Sequence, residues 1–107
     1  MIDEKRIKKL EARANILKAM AHSTRLFIIE ELSEREHSVG ELTDKIGADM
    51  STVSKHLSIL KSEGIIHDER RGTSIYYHLS CPCVLNFYEC VEGVIKSNVN
   101  KYVSLIS

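Results

Sequence analysis

The chain has 107 residues, enough for one compact domain and too few for a multidomain machine. Apolar residues make up 43% and charged residues 28%, a globular balance rather than a disordered or fibrous one. Fifteen Lys plus Arg against fifteen Asp plus Glu leave no net charge with His neutral, so contact with a polyanion has to come from a local patch. The opening Met1-Ile2-Asp3-Glu4-Lys5-Arg6 lacks the apolar stretch of a secretory signal, and no apolar run is long enough to span a bilayer. Three Cys in such a chain are expected to work as free thiols or metal ligands in a reducing cytoplasm.

In chain order, Ile7, Leu10, Ala14, Leu17 and Ala21 step by three and four, a narrow seam on a first helix. Such a seam suits an edge contact with a partner's helix; the plainer reading lays the helix on its own core. A second helix starts at His22 or Ser23, with Leu26, Ile29 and Leu32 inward and Phe27 and Ile28 widening the buried face. From Glu30 to Asp49 there are seven acidic and two basic residues, a stretch expected to face away from any polyanion. Ser38-Val39-Gly40-Glu41 has the form of a capping box and opens a short third helix through Ile46, which Gly47 ends. Asp49 or Met50 leads into a fourth helix over Ser51 to Glu63, stopped at Gly64. Val53, Leu57 and Leu60 form its buried stripe, His56 lies beside that stripe, and Ser51, Lys55, Ser58 and Ser62 lie opposite, with Thr52 and Ser54 at the margins.

The period then changes. Ile65 to Arg71 and Ser74 to Leu79 are β-branched and aromatic runs around Gly72-Thr73, a two-stranded hairpin with Arg70 and Arg71 at its tip. Pro82 occupies the first turn of a last helix carrying Val84, Tyr88, Val91 and Ile95 on one stripe, expected to reach about Tyr102. The fold expected is mainly α with a β-hairpin wing: a winged helix-turn-helix of about five helices and two strands, one DNA-binding and dimerisation domain over residues 1–107.

Two short helices joined tightly, followed by a basic hairpin, suit double-stranded DNA. Small hydroxyl residues on the outer face of the fourth helix allow close approach to base edges and phosphates. The candidates are Ser51, Thr52, Ser54, Lys55, His56 and Ser58, with Arg70, Arg71 and Thr73 from the wing. Asp68 and Glu69 weaken the patch, since strand alternation turns only one of them away. The rival reading is a winged helix that docks a protein without binding DNA. An enzyme is not expected, because no nucleophile elbow, phosphate loop or paired-carboxylate pattern is present.

Met20-Ala21-His22-Ser23-Thr24-Arg25-Leu26-Phe27-Ile28-Ile29-Glu30-Glu31-Leu32 resembles the opening motif of the ArsR/SmtB family of repressors, with Ser23 where the family usually has Pro. Met50-Ser51-Thr52-Val53-Ser54-Lys55-His56-Leu57-Ser58-Ile59-Leu60-Lys61 resembles that family's recognition helix, and Arg70 to Leu79 is similar to its wing. The resemblance implies a homodimeric repressor on a near-palindromic operator, its recognition helices roughly 34–36 Å apart. It also implies an interface built from the first and last helices, where Ile7, Leu10, Ala14, Leu17, Val84, Tyr88, Val91 and Ile95 fall.

The Cys residues are clustered: Cys81-Pro82-Cys83 and Cys90. At a helix start the dipole and free amides are expected to favour thiolate at Cys81 and Cys83. The sequence lacks the Cys-x-Cys of some family members in the third helix, the zinc set of others in the last helix, and the second-helix Cys of the persulfide sensors. What remains resembles members that bind trivalent arsenic or antimony through three thiolates; a thiophilic divalent metal is the other inducer considered, and a redox or sulfur response the alternative mechanism. Cys83 and Cys90 are about 10.5 Å apart along a regular helix, whereas two sulfurs on one ion lie within about 4.6 Å. Either the helix starts after Cys83, or a ligand comes from the other subunit. Cys81 and Cys83 could also pair by themselves, and Cys90 could be a small core residue. His22, His37, His67 and His78 are dispersed in the sequence.

Overall fold

Local codes set the helix ends. A computed structural model describes residues 1–106. Asp3 accepts from the Arg6 amide and starts α1 (Glu4–Met20). α2 (Ser23–Glu34) starts without the proline: His22 supplies the cap instead, its Nδ1 accepting from the Thr24 N–H at 3.1 Å. The capping box of Ser38 and Glu41 is complete at the head of α3 (Val39–Ile46), and Gly47 ends it at φ 77°, in the left-handed region glycine enters at least cost. Asp49 caps α4 (Met50–Ser62) two residues later. The turn between α3 and α4 is therefore only three residues long, which fixes the crossing of the two helices.

The core is aliphatic and central. Ile28, Ile29 and Leu32 of α2, Leu42 of α3, and Val53, Leu57 and Leu60 of α4 are buried together with Ile65 and Ile66. Beyond α4 the hairpin forms from β2 (Ile66–Arg71) and β3 (Ser74–Leu79), with Gly72 at φ 63° in its turn. In register, Asp68 faces Tyr77, Glu69 faces Tyr76 and Arg70 faces Ile75.

Three features differ from the sequence expectation. The sheet has three strands, not two: β1 (His37–Ser38) pairs antiparallel with β3, giving the order β1-β3-β2. A strand of two residues carries no period, so nothing in the sequence announced it. The last helix is also not one helix. Pro82–Phe87 form a 3-10 segment, and α5 runs from Tyr88 to Ile106, past Tyr102. Ala21 lies outside α1, as its C-cap.

The seams stay uncovered within one protomer. Ile7, Leu10 and Leu17 of α1 and Val91 and Ile95 of α5 are exposed, while Ala14, Val84 and Tyr88 are half-buried. Only Ala19 and Met20 of α1 reach the core, so α1 does not lie on its own core along its length. No described helix is long and apolar enough to cross a membrane.

Candidate nucleic-acid interface and thiol cluster

Burial of Val53, Leu57 and Leu60 turns the opposite face of α4 outward. Ser51, Thr52, Lys55 and Ser58 are exposed and Ser54 is half-buried at the margin. At the N-terminus of the helix Asp49 gathers three donors: the Ser51 hydroxyl, the Thr52 amide at 2.8 Å and the Thr52 hydroxyl at 3.0 Å. These bonds, the Ser51 hydroxyl first, pull the Asp49 carboxyl down to about 2. The first two hydroxyls of the face are thus committed as donors to Asp49, which leaves their oxygens able to accept. Lys55 and the hydroxyl of Ser58 lie on the same face.

His56 is half-buried, with Arg25 Nη1 3.2 Å from its Nδ1 and the His22 ring centroid 4.5 Å away. Burial, then the charges of His22 and Arg25, hold its pKa below the ordinary imidazole value. It packs at the core edge while its helix neighbours face outward.

The acidic residues of the wing, which weakened the patch on paper, are paired. Lys61 Nζ holds Asp68 at 2.8 Å, and Glu69 accepts from Arg71 Nε. One consequence runs against the expectation: Arg71 does not project from the tip. Its Nη1 and Nη2 donate to the two oxygens of Glu36 at 2.6 and 2.7 Å, and the guanidinium lies 4.8 Å from the Tyr76 ring centroid. Arg70 and Thr73 are exposed. The acidic stretch before α3 therefore does not all face away; Glu36 reaches the wing. Sequence reasoning missed Glu36 because its partner is 35 residues further on.

The His residues that looked dispersed also meet. His67 and His78 stack across the strands with centroids 5.1 Å apart, and His37, fully buried, lies 3.3 Å from Glu31 and 3.0 Å from Lys45 Nζ. Glu31 is held below the usual carboxylate range, chiefly by the hydrogen bond from Lys45.

Of the three thiols, two come together. Cys81 and Cys83 have their sulfurs 2.8 Å apart, on either side of Pro82, and both are exposed. Because Cys83 lies in the first turn of a short 3-10 segment rather than of a long α-helix, the dipole that was to favour its thiolate is weak there. The neighbouring Cys81 sulfur pushes the Cys83 thiol up instead. The α-helix does start after Cys83, yet Cys90 is not drawn into a group: among the described residues no three His, Cys, Asp or Glu side chains gather as metal ligands. Cys90 is exposed, not a core residue.

Comparison with known proteins places this geometry. The family model for bacterial regulatory proteins of the arsR family matches residues 22–68, from the cap of α2 to the start of the wing. The nodulation protein NolR of Rhizobium meliloti is 39% identical over 84 residues, which are 78% of this chain and 69% of that protein. The biofilm growth-associated repressor of Xylella fastidiosa is 38% identical over 73 residues, 68% of this chain and 64% of that protein. The chain thus spans about two thirds of each of these relatives. Among solved structures, a homodimeric winged helix-turn-helix DNA-binding domain of Mycobacterium bovis superposes with a TM-score of 0.76 at 27% identity, covering 94% of this chain and 93% of that one.

Proposed function

Since the chain belongs to the ArsR family of transcriptional regulators, we propose that it is a homodimeric repressor, working in the cytoplasm, that grips double-stranded operator DNA and releases it when a thiophilic inducer binds Cys of the last segment. The observation that carries the DNA reading is the outer face of α4. A helix whose buried side is Val53, Leu57 and Leu60 presents Ser51, Thr52, Ser54, Lys55 and Ser58 on a surface narrow enough for a major groove. Pairing of Asp68 with Lys61 and of Glu69 with Arg71 supports it, since neither acid is left as a free negative charge against phosphate. His56 serves by holding α4 against α2 rather than by touching DNA. Homodimers are recorded for the similar Mycobacterium bovis domain.

For the inducer, the contact of Cys81 with Cys83 supports a site for a ligand that needs two sulfurs. Trivalent arsenic or antimony would take Cys90 of the partner subunit as its third, and a thiophilic divalent metal could settle for fewer. Capture there would move the 3-10 segment and α5 against the interface. A ligand that prefers one arrangement of that interface weakens DNA binding by its differential affinity for the two.

Two titrations test the proposal. In fluorescence anisotropy with duplexes selected from a random pool, Lys55→Ala should weaken binding, and affinity should fall as salt rises because counterions are released. Full affinity in Lys55→Ala, or no duplex selected, overturns the DNA face. In gel shifts of the reduced protein, arsenite, antimonite or cadmium should release DNA and Cys83→Ser should resist. Release by peroxide alone would favour the redox reading, and an identical response in Cys83→Ser would remove the sensor.

A further inference from the structure

Arg71 is the most fully engaged cation of the chain. Its forked end meets both oxygens of Glu36, its Nε meets Glu69, and its flat face lies over Tyr76. Glu36 sits just ahead of β1, on the far side of the sheet order from β2, and its second oxygen is also 3.2 Å from His78 Nε2. Arg70 is different. It points to the other face of β2, opposite Ile75, is exposed, and has no hydrogen bond or ion pair among the described residues.

Resting on the DNA-binding reading, we propose that Glu36 is a positioning residue for the wing: it holds Arg71 as a strut between β2 and the approach to β1, which leaves Arg70 as the one wing cation free to meet a phosphate or the minor groove. Exposed ion pairs are individually weak, and a two-stranded hairpin is marginal by itself. A bidentate guanidinium shared by two carboxylates and backed by a ring fixes direction as well as distance. For Arg71 to reach a phosphate it would have to leave both carboxylates, exposing two negative charges on the wing with only His78 Nε2, 3.2 Å from Glu36 and 3.5 Å from Glu69, beside them. One positive charge gained against two negative ones exposed is a poor exchange.

The test uses the full chain, a duplex that it binds, and affinity measured over a series of salt concentrations. Arg70→Ala should weaken binding and make the log–log salt slope shallower by about 0.9 for each wing that engages DNA. Glu36→Gln should weaken binding by about 1.5- to 5-fold with the slope unchanged, and Arg71→Ala added to it should change little more. Without DNA, amide exchange at the hairpin turn should be faster in Glu36→Gln than in the native chain. Tighter binding with a steeper slope in Glu36→Gln would mean that Arg71 had been freed to contact DNA, and the proposal would be overturned. So would a slope change in Arg71→Ala as large as that in Arg70→Ala, or exchange at the turn unaltered by Glu36→Gln. Failure of the native chain to bind any duplex would sink the DNA-binding reading instead, and the exchange experiment would still decide the strut.

Discussion

Asp49 shows how one side chain serves both the fold and the face. Its carboxylate takes the Thr52 amide, which would otherwise be unsatisfied at the head of α4, and both adjacent hydroxyls. Because its folded pKa is depressed to about 2, the stabilising contribution is present above the unfolded value near 4 and is lost as pH falls through 2. Asp49→Asn keeps a capping oxygen but no charge. It should melt a few degrees below the native chain at pH 7, with the gap closing toward pH 2; thermal melts at fixed protein concentration would show a constant gap if the charge played no part. His56 has the same sign for a different reason, since here the neutral form is the one the fold favours. Burial and the neighbouring His22 and Arg25 lower its pKa, so the unfolded chain takes up the proton first as pH drops below about 6.5. Its stabilising effect is complete above that value and declines below it. Melts from pH 7.5 to 5.5 should slope downward in the native chain and be flatter in His56→Gln; equal slopes would place the titration elsewhere. At this scale the sequence was legible wherever a partner lies within one helical turn, as for Ser38 with Glu41. Glu36 with Arg71 was not, because nothing local marks a contact closed by the sheet between residues 35 positions apart.

Among elements, the ones that carry their own start and stop were legible to within a residue or two. α3 and α4 are bounded by Ser38, Gly47, Asp49 and the glycine at 64, and the structure keeps all four. β1 and the 3-10 segment were not legible. A two-residue strand exists only because β3 offers it an edge, and the spacing of Val84, Tyr88, Val91 and Ile95 cannot tell six residues of 3-10 from a continued α-helix. Glycine makes the same point with opposite signs. At Gly47 a Cβ would meet no atom within 4 Å, so the cost of Gly47→Ala is backbone strain alone at φ 77°, about 1–2 kcal/mol. Gly93 also has open space around its Cβ but lies inside α5, off the Val91 and Ile95 stripe. Gly93→Ala should therefore stabilise by about 0.5–1 kcal/mol. Denaturant titration of the two variants reads both; a loss at Gly93 of the size expected at Gly47 would mean that this side of α5 is covered by something.

The single chain is more open than a compact domain of its length. Its Cα radius of gyration is 17.2 Å, against about 13 Å for a compact chain of this length. Its surface is 7716 Å², against about 6,100 Å² expected for a compact monomer of its 12.2 kDa. The difference, roughly 1,600 Å² per protomer, is about twice what each partner gives up in a standard interface and falls in the range of obligate dimers. Exposed apolar residues lie on the two terminal helices: Leu10 and Leu17 at one end of the chain, Val91, Val94, Ile95 and Val99 at the other. Solvated alone they would form an apolar patch of the kind that soluble monomers avoid. A second copy of the same chain would cover α1 and α5 with matching surface and, by twofold symmetry, would set two α4 faces side by side. Sedimentation should give the native chain twice its 12.2 kDa, and a charge in either helix, Leu17→Glu or Val91→Glu, should shift it toward the single-chain mass with α4 still folded by circular dichroism. DNA affinity should drop in step, since two half-sites are then no longer held together. A native chain that sediments as a monomer would overturn the pairing outright, and variants that stay dimeric would move the interface off these two helices.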